Sequence, residues 1–249
     1  RDARSLEGRR GAAAVDLVVQ FATALKERSD RPLLGAGVAS PGVVSADGVV
    51  VDAPNLVWRD VALAETLGAA LGHPVYVAND ANTAVMGEYT FGGGGEGGLL
   101  LLRLSTGVGA GLVLGGTVLH GNAGAAGEVG HVQVDPDGDK CGCGRPGCLE
   151  TFVAVPRLRH RLESAPIEVV LSEAGDRIGQ ALAPVVATLN LAEVVLSGPS
   201  DLVEPLAREA EVAIRERVMA ASDAGFCSGA VARGVVVPCL RALSRLAPR

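Results

Sequence analysis

Three of the five cysteines fall within eight positions, as Cys141-Gly-Cys143-Gly-Arg-Pro-Gly-Cys148, ten residues after His131. Three thiolates and one imidazole complete a tetrahedral zinc shell, and a shell with no open position is structural. The interleaved glycines let the backbone turn tightly around an ion. The plain alternative is a set of buried thiols beside an unrelated histidine. Free thiols rarely gather in a hydrophilic loop of Gly and Asp, which argues against it. An odd cysteine count with this spacing also argues against a disulfide scaffold. Cys227 and Cys239 have no matched partner in a motif and read as ordinary residues.

Such a knuckle must sit on a larger body. The 249 residues are 48% hydrophobic, enough for a sizeable core, but only 3% aromatic, so that core is built from Val, Leu and Ala. The 34 glycines have no three-residue period and cluster in loops, a pattern suited to close backbone approach to a ligand. The 22 basic and 28 acidic side chains leave a net charge of −6, which disfavours a free-standing nucleic-acid binder. No apolar run is long enough to span a bilayer and no apolar signal region opens the chain, so a cytoplasmic location is expected.

The pattern along the chain is α/β. Helical periodicity covers Ala12–Arg28, Ala62–Leu71 and Asp80–Tyr89. Leu33–Ala39 and Val75–Ala78 read as buried strands, and Val43–Val44 and Val49–Val51 as a hairpin turning at Gly48. This alternation predicts a largely parallel sheet with helical cover. Gly92–Gly98 reads as a connection between domains. Strands are predicted at Leu99–Leu104, Ala110–Leu114, His131–Val134 and Glu193–Leu196, with a glycine-rich loop over Gly121–Gly130. Helices are predicted at Val153–Ser164, Glu173–Leu191 and Leu202–Ala220, and in the tail Val235–Val237 reads as a strand and Leu240–Leu246 as a short helix.

Several motifs carry a resemblance. Gly127-Glu-Val-Gly-His131 and the cysteine run through Glu150, with their spacing, resemble the ROK family, which groups bacterial sugar kinases with sugar-responsive transcriptional repressors. Ser40-Pro-Gly-Val-Val44, Ala53-Pro-Asn-Leu-Val-Trp58, Asn79-Asp-Ala-Asn82 and Ser105-Thr-Gly-Val-Gly-Ala-Gly111 extend it over about Leu33 to Phe152. From Val153 to Leu206 it is one of pattern. The resemblance implies a two-lobed, actin-like ATPase (ribonuclease H-like) fold with sugar in the interlobe cleft. Residues 1–91 would form a first lobe and 92–249 a second lobe carrying the zinc loop over 131–148. Sugar kinases of this fold open with a strand, an Asp-x-Gly-x-Thr phosphate turn and a second strand. Nothing before Leu33 matches that opening, so the first lobe is expected to be incomplete and to leave a sheet edge unpaired.

The resemblance also implies site residues. Asn79 and Asp80 follow the end of a strand, where ligands bind in open α/β sheets. In family kinases the residue matching Asp80 is the general base that takes the proton from the attacking sugar hydroxyl. Helix capping is the competing reading for this pair. Asn55, Glu128, His131 and Glu150 match further sugar contacts, and for Asn55 a plain turn role after Pro54 competes. His131 would serve twice, one ring nitrogen on zinc and the other on a sugar hydroxyl.

Thr106 and Gly107 match a phosphate loop, although the kinases usually carry Gly-Thr-Gly where this chain has Ser105-Thr106-Gly107. Ser197-Gly198-Pro199 stands where they usually carry a glycine-only adenosine turn, and Pro199 removes a backbone donor. These departures favour a sugar-binding effector domain of a ROK-type regulator, which would reach operator DNA through a segment outside this chain. The alternative is a fragment of an ATP- and magnesium-dependent hexose kinase, glucokinase-like. Zinc is expected as a structural cofactor, a small sugar as ligand, no membrane, and a homo-oligomer, dimer or tetramer.

Overall fold

The computed structural model describes residues 6–92, 97–219 and 225–228. The expected tail elements at Val235–Val237 and Leu240–Leu246, Cys239, and part of the Gly92–Gly98 connection lie outside the described residues. So does the side chain of Cys227. The chain divides into two compact units, one ending at Thr83 and including Asn122–Ala125, the other beginning at Ala84.

The first unit is built around one tryptophan. α1 (Ala12–Glu27) lays Val15, Val18, Val19 and Ala22 against a core of Val44, Val50, Ala53, Trp58, Leu63, Leu67 and Val77. Trp58 Nε1 donates to the Gly11 carbonyl at 2.9 Å, and the Gly11 N–H donates to the Leu56 carbonyl at 2.8 Å. The start of α1 is thereby tied to the Pro54–Leu56 turn, and the buried indole N–H is satisfied. β1 (Ala36–Ser40) and β5 (Val75–Asn79) form a two-stranded parallel sheet, in register from Ala36↔Val75 to Ser40↔Asn79. β2 (Val43–Val44), β3 (Val50–Ala53) and β4 (Trp58–Val61) form an antiparallel sheet. The hairpin turns at Gly48 as the sequence predicts, but β4 was hidden because Arg59 and Asp60 obscure its alternation. α2 (Leu63–Leu71) is closed by Gly72 in the left-handed conformation.

The second unit carries a five-stranded sheet in the order β10-β9-β6-β7-β8. The strands are β6 (Leu99–Leu104), β7 (Val108–Leu114), β8 (Thr117–Val118), β9 (Glu193–Ser197) and β10 (Gly225–Ser228). β6 and β9 run parallel, as do β9 and β10, whereas β7 and β8 are antiparallel additions. The sheet is therefore mixed. β6 is buried on both faces, which explains its unbroken leucines. Leu100, Leu102 and Leu104 join the core under α4 (Leu149–Val153), α5 (Val155–Leu162), α6 (Ile167–Leu189) and α7 (Ser200–Arg215). Leu99 and Leu101 face the other way, toward Val85 of α3 (Asp80–Phe91). At about 2 kcal/mol per buried leucine, these five side chains contribute on the order of 10 kcal/mol of gross burial. α6 and α7 approach closely because Gly179 lacks a side chain: a Cβ there would stand 2.6 Å from Ala213 Cβ.

Three local expectations are corrected. Residues 131–134 are not a strand: Val129–His131 is a 3₁₀ turn, and Gln133 makes a single bridge to Cys148. The backbone of Val132 and Val134 is spent on Leu149 and Gly147, so no ladder extends. The helix expected over Val153–Ser164 breaks at Ala154, which is extended. Pro156 has no N–H to continue the helix from α4, so α5 starts afresh around it. α6 starts at Ile167, directly after Pro166, and not at Glu173.

One buried group in this unit is out of keeping with its surroundings. Glu88 is only 3% exposed, and its Oε2 has no hydrogen-bond partner among the described residues. Burial, reinforced by the nearby charge of Glu193, pushes its carboxyl up to about 7. A carboxyl with a raised folded-state pKa stabilises the fold in its protonated form. That contribution is complete below the unfolded value near 4.5 and is lost as pH rises through about 7. Glu88→Gln should therefore raise stability at pH 8, by about 1–2 kcal/mol after allowance for solvent screening, and leave it nearly unchanged at pH 4.5. Urea unfolding at both pH values measures this, and an equal effect at the two would contradict it.

Candidate functional site

Within the second unit, the loop after β8 and the start of α4 bring His131, Cys141, Cys143 and Cys148 together, with one ligand atom from each within 4.8 Å of all the others. Local backbone chemistry sets this up. Cys141 N–H donates to the Arg145 carbonyl at 2.8 Å and Gly144 N–H to the Cys141 carbonyl at 2.9 Å, closing a tight turn. Gly147 is left-handed, with φ of 62°, and its N–H donates to the Asp139 carbonyl at 2.8 Å. A Cβ at this position would overlap the carbonyl oxygen of Asp135, so glycine is required here.

α6 holds the loop from outside. Arg177 donates to the Val134 carbonyl at 2.9 Å, pairs with Asp135 at 3.2 Å, and lies 5.0 Å over the Phe152 ring. Sequence reasoning missed Arg177, because a lone arginine on an amphipathic helix carries no motif.

The donor set fits a tetrahedral ion. Cys141 Sγ lies 3.5 Å from His131 Nδ1, and Cys143 Sγ lies 3.5 Å from Cys148 Sγ. Ligands about 2.0–2.3 Å from a central zinc are separated by about 3.3–3.8 Å in a tetrahedron. Cys141 and Cys148 are buried, whereas Cys143 is exposed. Backbone hydrogen bonding at Arg145 brings the Cys143 thiol down to about 7. Burial pushes Cys148 up to about 12 and raises Cys141. Burial thus favours the neutral thiol at both of these sulfurs.

Two carboxylates flank the cluster. Glu128 is exposed, and its Oε2 stands 3.8 Å from His131 Nε2, the ring nitrogen turned away from Cys141. Glu150, in the first turn of α4, accepts the Val108 N–H at 3.0 Å through Oε2, and its Oε1 lies 3.8 Å from Cys141 Sγ. Glu128, His131 and Glu150 are therefore gathered around one cluster.

Asn79, Asp80 and Asn55 belong to the first unit. Asn79 Oδ1 accepts the N–H groups of Ala81 at 2.9 Å and Asn82 at 3.0 Å, and Nδ2 donates to the Gly42 carbonyl at 2.9 Å. Asn79 is thus a helix cap. Asp80 is the half-buried first residue of α3, and Asn55 is exposed in the Pro54–Leu56 turn.

A separate cleft of about 410 Å³ opens where β6 and β9 end. Arg103–Thr106, Val155–Pro156 and Ser197–Pro199 line it. Thr106 is thus on its wall, and Gly107 closes the same turn by accepting the Ser105 N–H at 2.9 Å.

A putative xylose repressor of Caldicellulosiruptor sp. (strain Rt8B.4) is 41% identical over 140 residues, which span 55% of this chain and 35% of the repressor. A glucokinase of Halalkalibacterium halodurans is 46% identical over 132 residues, 52% of this chain and 39% of that enzyme. The chain therefore matches well under half the length of either relative. Among solved structures, a ROK family transcriptional regulator, a homologue of the E. coli MLC protein, superposes with a TM-score of 0.71 at 26% identity, over 87% of this chain and 63% of that one. A ROK family glucokinase from Streptomyces griseus, solved with glucose and AMPPNP, shares the fold with a TM-score of 0.74 at 24% identity, covering 88% and 83%. The α/β architecture is therefore that of actin-like sugar kinases.

Metal binding to this cluster must displace thiol protons. Two displaced protons, from Cys141 and Cys148, should make zinc affinity rise on the order of 100-fold per pH unit. The slope should steepen below about 7, where Cys143 is protonated as well. Competition with a chromophoric chelator between pH 6 and 8 measures this, and a flat profile would contradict it. Cys143→Ser should abolish tight binding.

Residues 12–232 match the ROK family, and the chain belongs to it.

Proposed function

We propose that the chain is the sugar-binding effector core of a ROK-family transcriptional regulator, acting on operator DNA through a segment outside this sequence. The observation that supports this most is the make-up of the cleft beside β6 and β9. Its Ser197-Gly198-Pro199 wall contains a proline, which has no backbone N–H to offer, and among the described residues no carboxylate lines it to orient magnesium.

Zinc is the proposed ion of the Cys/His cluster. Bound at His131 Nδ1, it would fix the ring so that Nε2 carries a hydrogen and donates. Glu128 beside that nitrogen, with Glu150 across the cluster, supplies acceptors for neighbouring sugar hydroxyls. Zinc would orient the sugar ligands and take no part in chemistry. Asp80, Asn79 and Asn55 are the remaining proposed sugar contacts. Asn79 contributes within the limits set by its capping bonds. Sugar binding would shift the equilibrium between two conformations of the regulator and so alter operator affinity. A cytoplasmic homo-oligomer, dimer or tetramer, completes the proposal.

A second reading is an ATP-dependent, glucokinase-like hexose kinase. Asp80 at the N-terminus of α3 favours it, since a carboxylate is the group that would take the proton of an attacking sugar hydroxyl.

Calorimetry of the full-length protein with a panel of hexoses and pentoses, paired with a coupled assay for ADP release, separates the two. The expected result is saturable binding of one sugar, no ADP release, and sugar-dependent operator binding. ADP release that disappears in Asp80→Asn would overturn the regulator reading. Loss of zinc through Cys143→Ser should weaken sugar binding by about tenfold or more, because His131 loses its anchor. Undiminished affinity in the zinc-free protein would refute the double role of His131.

A further inference from the structure

We infer that Cys143 is a reversible oxidation site, that a hydroperoxide converts it and Cys148 into a disulfide, and that this withdraws two of the four donors of the Cys/His cluster. The four donors are unevenly covered. Cys141 and Cys148 are buried and His131 is half-buried, whereas Cys143 is exposed. A shell that serves structure alone is best buried throughout, because a thiolate open to solvent is the one that oxidants reach. The cluster therefore presents a single sulfur to attack, and it is one of the donors on which ion binding depends.

The second sulfur is close, and the segment that carries the first can move. Cys143 Sγ lies 3.5 Å from Cys148 Sγ. A disulfide needs about 2.05 Å, so the sulfurs must approach by about 1.5 Å. Gly142–Pro146 are all exposed, and a Cβ on Gly142 or Gly144 would meet nothing within 4 Å, so no side-chain packing holds this stretch in place. Cys148 is fixed by contrast. It is fully buried at the start of α4, and its Sγ lies 3.6 Å from the His131 carbonyl oxygen. Cys143 is thus the mobile partner and Cys148 the stationary one. Cys141 is a poorer partner because its sulfur is engaged elsewhere, 3.5 Å from His131 Nδ1 and 3.8 Å from Glu150 Oε1.

The chemistry balances with a hydroperoxide as the two-electron oxidant. The Cys143 thiolate attacks a peroxide oxygen, an S–O bond forms, and the O–O bond breaks. The departing alkoxide or hydroxide takes a proton from water. The Cys148 thiolate then attacks the sulfur of the Cys143 sulfenic acid, forming the S–S bond and expelling hydroxide. Each sulfur loses one electron, and the peroxide is reduced to an alcohol, or water, and hydroxide. Cys141 and His131 remain, and two donors are too few for a structural tetrahedral site. A dithiol reductant reverses the change by thiol–disulfide exchange. With the ion gone, His131 loses the anchor that faces its other nitrogen toward a sugar. That last consequence rests on the proposed double role of His131, whereas the oxidation and the loss of the ion do not.

The test uses the zinc-loaded full-length protein and hydrogen peroxide at about a tenfold molar excess. Zinc release is followed with a chromophoric chelator. All five cysteines are mapped by mass spectrometry of peptides. Calorimetry before and after oxidation uses whichever sugar the reduced protein binds. Zinc should leave in step with a Cys143–Cys148 disulfide, and dithiothreitol with added zinc should restore both the thiols and the bound ion. Cys143→His keeps a nitrogen donor at this position but removes the exposed sulfur, so peroxide should release its zinc about tenfold more slowly or less. If that variant holds no zinc, the cysteine map of the parent decides. The inference is overturned if zinc stays bound to the parent, if the disulfide joins other cysteines, or if Cys143 is carried to a sulfinic acid that dithiothreitol does not recover. Release from Cys143→His as fast as from the parent would overturn it as well. Sugar affinity that survives complete zinc release would count against the double role of His131 and leave the oxidation site standing.

Discussion

Three sulfurs and a ring nitrogen drawn within 4.8 Å of one another set the terms for the second unit. Two of those sulfurs are buried, and burial favours their neutral form. A neutral cluster of this kind offers weak contacts in return for ordering a long polar loop, which costs roughly 1–2 kcal/mol of backbone entropy per residue. A divalent ion changes the balance, because it stabilises the thiolates that burial disfavours and joins four distant backbone points. An ion held there would fix the order of the loop, the facing of His131 and the position of Glu150 at the start of α4. Arg177 completes it mechanically by fastening the Val134–Asp135 end of the loop to α6.

The elements most legible in the sequence were those whose pattern is local. The leucines of β6, the Val-rich face of α1 and the turn at Gly48 each follow from side-chain periodicity or a single left-handed glycine. The cysteine knuckle was equally legible, since ligand type and spacing are written in consecutive residues. What failed were the places where backbone bonds are claimed from a distance. Val132, Gln133 and Val134 alternate like a strand, but their partners are Gly147, Cys148 and Leu149 within the knuckle, so a turn forms instead. Ala154 looks helical in isolation but is extended as the residue before α5, since Pro156 two positions on has no N–H to continue the helix from α4.

The candidate site shows the same division. His131 and the three cysteines could be named from spacing, and Glu128 and Glu150 from resemblance. The division of labour at Asn79 could not. An asparagine before a helix reads both as a cap and as a ligand, and only coordinates reveal that its Oδ1 takes two helix N–H groups while Nδ2 reaches Gly42. Arg177 was invisible for another reason. It is an isolated arginine, and its meaning comes from Asp135, which a distant segment places beside it.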